Sequence, residues 1–260
     1  MILIDGDPLT YRIGFAIERD PMGMVAGRYN MTKAIDRILI DLAPHYKGDY
    51  RIFIGGEGNF RKKRANLIPY KGNRAISNRP KHYDALRELL VREWGAEIIN
   101  GMEADDKLGI ELTKGYKESK HEGDTAFSEH ICVSIDKDLL MVPGDHYNFV
   151  KKTFNYIDEK TGYKNFTRQM LTGDATDNIP GLRGIGPKAA DKLVNSVVSE
   201  TKKEYDNMVF ETYKSKVHGG MLKLKNKVTV NVARDDDIRF VLAELRDLLW
   251  IRRYEEENNV

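Results

Sequence analysis

The chain has little of what marks a cross-linked, membrane-spanning or low-complexity protein. It holds one cysteine, Cys132, in 260 residues, which excludes an internal disulfide framework and any zinc site built from several thiolates. That cysteine lies in the apolar run Ile131-Cys132-Val133 and reads as an inert buried thiol. No stretch approaches the roughly 20 consecutive apolar residues that span a bilayer. Met1 enters an apolar run with no basic segment or small-residue cleavage pattern, so no signal peptide is read. Repeats and low-complexity tracts are missing too. Neither sign of charge dominates: 42 Lys and Arg against 40 Asp and Glu leave a net +2. The expectation is a cytoplasmic protein with no membrane partner. A chain of this length, 41% hydrophobic, can bury one sizeable core with a small helical annex.

What is present is uneven. Residues 61–92 carry ten Lys and Arg against Asp84 and Glu88, while acidic residues elsewhere gather in short clusters. A basic segment with compact acidic groups suits an anionic polymer held over a cation, although for charge alone a solvated, charge-rich face is the better reading. Apolar runs predict strands over 1–4, 50–54, 96–99, 130–135 and 147–150. Helical spacing covers 32–42, 84–94 and 103–116, and Asp5-Gly6-Asp7-Pro8 reads as a turn. This alternation implies an α/β fold with a mainly parallel central sheet and helices on both faces. An exposed loop is expected over 119–128. From Phe166 onward helices dominate, ending in an amphipathic stretch over 238–254. The expected division is a core over 1–165 and a helical region over 166–260.

Four acidic groups follow predicted element ends: Asp5 with Asp7; Glu103, Asp105 and Asp106; Asp136 with Asp138; and Asp174 with Asp177. Any one has an ordinary reading, since acidic side chains cap helix starts and complement the dipole. For Glu103 to Asp106 taken alone, capping is the first reading. Several carboxylates at one sheet edge repel each other unless cations bind among them. Oxygen donors without clustered His or Cys favour Mg²⁺ or Mn²⁺ over zinc. Two such ions about 4 Å apart stabilise the attacking and leaving oxygens of a phosphodiester displacement.

The run Gly181-Leu182-Arg183-Gly184-Ile185-Gly186-Pro187-Lys188 leads into a helix. Amides at the helix start beside Lys188 make a phosphate seat. A dinucleotide fold would need a strand before the glycines, and a polar loop with Pro180 stands there instead. A clasp on a DNA backbone fits better, with a plain helix connection as the bland alternative.

These residues together resemble the 5′ nucleases, which include phage 5′ exonucleases, flap endonucleases and the 5′-nuclease domain of bacterial DNA polymerase I. The resemblance runs through Leu3 to Gly6, Tyr70 to Arg74, Glu103 to Asp106, Asp136 to Asp138, and Gly173 through Ala190. It implies a PIN-like core with a helical arch around 57–92 and a helix–three-turn–helix in the C-terminal region. Asp5, Glu103, Asp105 and Asp106 would serve a first metal region, and Asp138, Asp174 and Asp177 a second, with Asp136 between. Lys71 and Arg74 would meet the scissile phosphate, with Tyr70 available to stack on a base. Arg61, Lys62, Gly184, Gly186 and Lys188 would contact DNA, and the helix–three-turn–helix can bind K⁺. The compact chain is most similar to stand-alone phage enzymes, which act in the host cytoplasm. A monomer and a DNA polymerase partner belong to the same expectation.

One departure stands out. Aligned on Phe60-Arg61, Gly56 takes the place of an aspartate that the family often places in its metal cluster. Glu57 is adjacent, and Asp7 is read as a turn former. The expected activity is Mg²⁺-dependent cleavage of DNA near 5′ ends. The rivals are a PIN-like ribonuclease and a non-catalytic protein that binds branched DNA.

Overall fold

The structure, a computed structural model, describes residues 1–74, 79–116 and 128–255. Most of the loop expected over 119–128 thus lies outside the described residues. Those described fall into two units. One comprises 1–59, 79–116, 128–158 and 251–255, and the other 60–74 and 159–250.

The first unit is built on six strands: β1 (Ile2–Asp5), β2 (Tyr50–Gly55), β3 (Glu97–Ile99), β4 (Ile131–Val133), β5 (Gly144–Asn148) and β6 (Thr153–Ile157). Their order is β3-β2-β1-β4-β5-β6. All neighbours run parallel except β5 and β6. The period of two along each strand sorts residues between the faces. Ile2, Ile4, Ile52, Ile54, Ile131 and Val133 join a core with α1 (Gly6–Ala16), α2 (Met24–Leu42) and α4 (Tyr83–Trp94), which supply Leu9, Ile13, Met31, Ile35, Leu86 and Leu90. The alternate residues Leu3, Phe53 and Cys132 are fully buried on the other side. There α5 (Ala104–Lys114) packs on β1 and β2. Removing each such side chain from water stabilises the fold by roughly 1.5–3 kcal/mol.

Asp5-Gly6-Asp7-Pro8 is not a turn. The chain passes directly from β1 into α1, and Thr10 Oγ1 donates to Gly6 O at 2.8 Å. Proline is tolerated there because a first-turn nitrogen has no helical acceptor to lose. Of the expected arch, 61–64 (α3) and 83–94 (α4) are helical, and 65–74 hold no regular element.

The second unit gathers α6 (Glu159–Thr172), α7 (Pro187–Asn195), α8 (Lys202–Lys214) and α9 (Asp235–Leu249). Phe166, Tyr205, Tyr213 and Leu245 are buried in it. The Phe166 and Trp250 rings meet edge to face at 4.9 Å. Two small sheets accompany the helices: β7 (Gly173–Asp174) with β8 (Ile179–Pro180), and β9 (Val217–His218) with β10 (Met221–Lys223) and β11 (Thr229–Asn231). The chain returns to the first unit at Ile251, and the amphipathic stretch expected over 238–254 is helical to Leu249. Among the described residues no helix is long and apolar enough to cross a membrane.

Candidate active site

In the first unit the strand order reverses between β1 and β4. That crevice, at the carboxyl ends of the strands, is where open α/β sheets bind ligands. Asp5 closes β1 and is 2% exposed. Ser134 Oγ donates to Asp5 Oδ2 at 2.7 Å and accepts the Asp136 N–H at 3.0 Å. The Asp138 N–H in turn donates to Asp136 Oδ1 at 2.9 Å. Asp5 Oδ1 is buried with no hydrogen-bond partner. Burial and the charges of Asp7 and Asp136 push the Asp5 carboxyl well above its ordinary value, opposed by the Ser134 hydrogen bond. The Cys132 thiol is raised first by burial, then by the negative charges of Asp5, Asp105 and Asp136. Sequence spacing gave no sign of Ser134, whose role depends on pairing with a residue 129 positions away.

Asp106, expected as a metal ligand, ties local structure together as well. It is fully buried, and its two oxygens accept the Glu103 N–H at 3.0 Å and the Arg252 N–H at 3.1 Å. It caps α5 and fastens the returning chain. Asp7 is not a turn former either. Its Oδ2 accepts the Gly55 N–H at 2.9 Å, and its Oδ1 lies 2.8 Å from Arg87 Nη1. Among the described residues, no three carboxylate, imidazole or thiol groups are gathered closely enough to be recognised as a cation cage.

In the second unit the basic motif docks on the last acidic loop. Asp177 accepts the Tyr70 hydroxyl at 2.7 Å, pairs with Arg74, and has Lys71 Nζ at 3.5 Å. The backbone joins in: the Lys71 N–H donates to Asp177 O at 2.8 Å, and Asn73 Nδ2 to Ala175 O at 2.8 Å. Asp174 Oδ1 accepts the Thr176 N–H at 2.7 Å. Tyr70 departs from expectation. Its residue is 6% exposed and Lys71 Nζ lies 5.0 Å above its ring, so the ring is not open for base stacking.

Arg61 is likewise corrected as a DNA contact. It is 2% exposed and donates to Leu248 O at 3.0 Å and Trp250 O at 2.6 Å, which makes it a cap on the end of α9. Lys62 is exposed, as a backbone contact requires. Gly184 sits at φ +85° and a Cβ there would meet open space. Gly186 is the N-cap of α7, Pro187 begins it, and Lys188 is exposed beside those free amides.

No family model matches the chain. Individual relatives do. A 5′-3′ exonuclease of Buchnera aphidicola subsp. Schizaphis graminum is 33% identical over 231 residues, covering 80% of this chain and 74% of that protein. The thermostable DNA polymerase I of Thermus thermophilus is 25% identical over 256 residues, covering 91% of this chain and 29% of the polymerase. A flap endonuclease of bacteriophage T5, solved with DNA and metal ions, shares the fold with TM-score 0.58 at 15% identity, covering 95% of this chain and 85% of that one. The chain belongs to the 5′-3′ exonuclease family, a metal-dependent class of 5′ nucleases.

Proposed function

We propose that the chain hydrolyses DNA phosphodiester bonds near 5′ ends, as exonuclease, flap endonuclease or both, with divalent cations held by its carboxylates. The observation that carries this reading is the unpartnered, buried Asp5 oxygen at the strand-order reversal. A buried carboxylate oxygen without a donor is costly unless a cation satisfies it. Asp136, joined to Asp5 through Ser134, and Asp105 of the family motif are oxygen donors as well, which suits Mg²⁺ or Mn²⁺. When bound, two such ions activate water and neutralise charge on the departing oxygen.

Asp5, Asp105 and Asp136 hold the cation in this reading, with Glu103 and Asp138 beside them. The family motif assigns Asp174 and Asp177 the same task. Lys71 and Arg74 neutralise charge developing on the phosphate. Lys62, Lys188 and the backbone around Gly184 and Gly186 grip duplex phosphates without reading bases. K⁺ at this loop and a polymerase partner follow from the family resemblance. The test is a Mg²⁺ titration against 5′-labelled flap, nicked, blunt and single-stranded DNA. Mononucleotide products mean exonuclease and released flaps mean endonuclease. No Mg²⁺-stimulated cleavage of any substrate overturns the reading.

A further inference from the structure

The segment that carries Lys71 is held in a strained turn. Pro69 O accepts the Gly72 N–H at 3.0 Å, which closes the turn over 69–72. Lys71 stands in its third place at φ +55°, a position that favours glycine or asparagine. A lysine stays in such a conformation only where its surroundings over-determine it. Residues 175–178 supply those surroundings. The Lys71 N–H donates to Asp177 O at 2.8 Å, Arg74 Nε to Thr176 O at 3.4 Å and Asn73 Nδ2 to Ala175 O at 2.8 Å. Asn178 Nδ2 donates at 2.9 Å to Pro69 O, the same oxygen that closes the turn.

Asn178 is suited to this task. Its own φ is +60°, which asparagine tolerates better than most residues. A carbonyl only accepts, so the amide nitrogen faces Pro69 and leaves Oδ1 for a second partner. Asn226 Nδ2 donates to that oxygen at 3.2 Å. Asn226 lies in the turn between β10 and β11. Its neighbour Lys225 fastens that turn to the base of the loop bearing Asp174 and Asp177, through its N–H to Gly181 O and its Nζ to Thr172 O, each at 2.8 Å. One amide thus ties the strained lysine turn to a braced hairpin. We infer that Asn178 is a positioning residue for cleavage, holding the Pro69 turn so that Lys71 is presented to the phosphate. This inference rests on the phosphate role proposed for Lys71 above.

Stability alone is a weak reason for the clamp. Pro69, Gly72 and Asn73 are exposed and Asn178 is half-buried, and a hydrogen bond open to water contributes little net. Placement matters more, since a displacement of about 1 Å at a reacting centre can slow a reaction about a hundredfold.

The experiment compares wild type with Asn178→Asp, Asn178→Gly and Lys71→Ala. An ionised aspartate keeps the shape but has no donor for Pro69 O, and glycine keeps only the tolerance of positive φ. Three quantities are read on the intact protein. They are kcat and KM on a 5′-labelled flap with Mg²⁺, Mn²⁺ affinity, and the rate of Lys71 acetylation by acetic anhydride, followed by mass spectrometry beside the exposed Lys188. Both Asn178 variants are expected to lower kcat and to speed Lys71 acetylation, each at least about threefold, the low end of one net hydrogen bond. KM, Lys188 acetylation and Mn²⁺ affinity are expected to stay unchanged. Unchanged Lys71 acetylation overturns the inference, and so does an equal acceleration at Lys188, the sign of general loosening. A fall in Mn²⁺ affinity in place of faster acetylation assigns Asn178 to the cation and overturns it too. A loss of kcat in Lys71→Ala with none in the Asn178 variants overturns this inference alone. No loss in any of the three overturns the phosphate role of Lys71 as well. Should Asn178→Asp fail to fold, Asn178→Gly carries each comparison.

Discussion

Burial inside β5 lowers the His146 imidazole to about 4, against the smaller opposing effects of its bond to Val142 O and the charge of Asp145. The unfolded chain, with an ordinary histidine near 6.5, binds the extra proton first. Stability from this residue is therefore complete above about pH 6.5 and is lost as pH falls toward 4. The loss should reach about 3 kcal/mol, measured by urea unfolding across that window, and His146→Gln should flatten the slope. At the proposed cation site, Asp105→Asn or Asp136→Asn should abolish cleavage while leaving DNA binding largely intact. Full activity in such variants removes these residues from the site. Lys71→Ala should reduce cleavage more than duplex binding, and an equal loss in both would make it a simple tether. Arg61→Met should lower stability by roughly 1–3 kcal/mol, because the carbonyls of Leu248 and Trp250 lose their donor.

Among the elements, α7 offers the sharpest test of DNA contact. Lys188→Glu at its start should weaken binding to all duplex sequences alike and reduce the salt dependence by about one to two phosphate contacts. Fluorescence anisotropy at several salt concentrations reads both. The same element shows what was legible from residue order. Proline after glycine marked its first turn, and the structure begins α7 at Pro187. The buried strands β1, β2 and β4 were legible because each is a short apolar run. β6 was not, since four of its five residues are exposed and it pairs antiparallel at a sheet edge. α1 was obscured by Asp-Gly-Asp-Pro, a turn-like string whose proline happens to fall in a first helical turn. The inward turn of Arg61 and the second bond of Asp106, to Arg252, were illegible for a common reason. Their partners lie more than 100 residues away in the chain, and no local pattern shows whether a charged side chain faces inward.

For the whole molecule, cation binding and folding should be linked. Ions that bind only the folded chain stabilise it by mass action, so the melting temperature should rise with Mg²⁺ and return to baseline with a chelator. Asp5→Asn should blunt that rise. The broad α/β plan was readable because alternating periods of two and 3.6 survive in residue order. The partition of the chain was not, because membership of a unit depends on contacts at long range. Residues 60–74 belong with 159–250, although both their neighbours in sequence belong to the first unit. A fragment spanning 159–250 would thus lack Arg61, and with it the donors for Leu248 and Trp250, as well as the partners of Asp177. The helical unit cannot be excised with a single cut. Grafting it onto another scaffold would need four junctions, because the chain enters this unit twice and leaves it twice, so the two units are expected to be inherited together rather than shuffled.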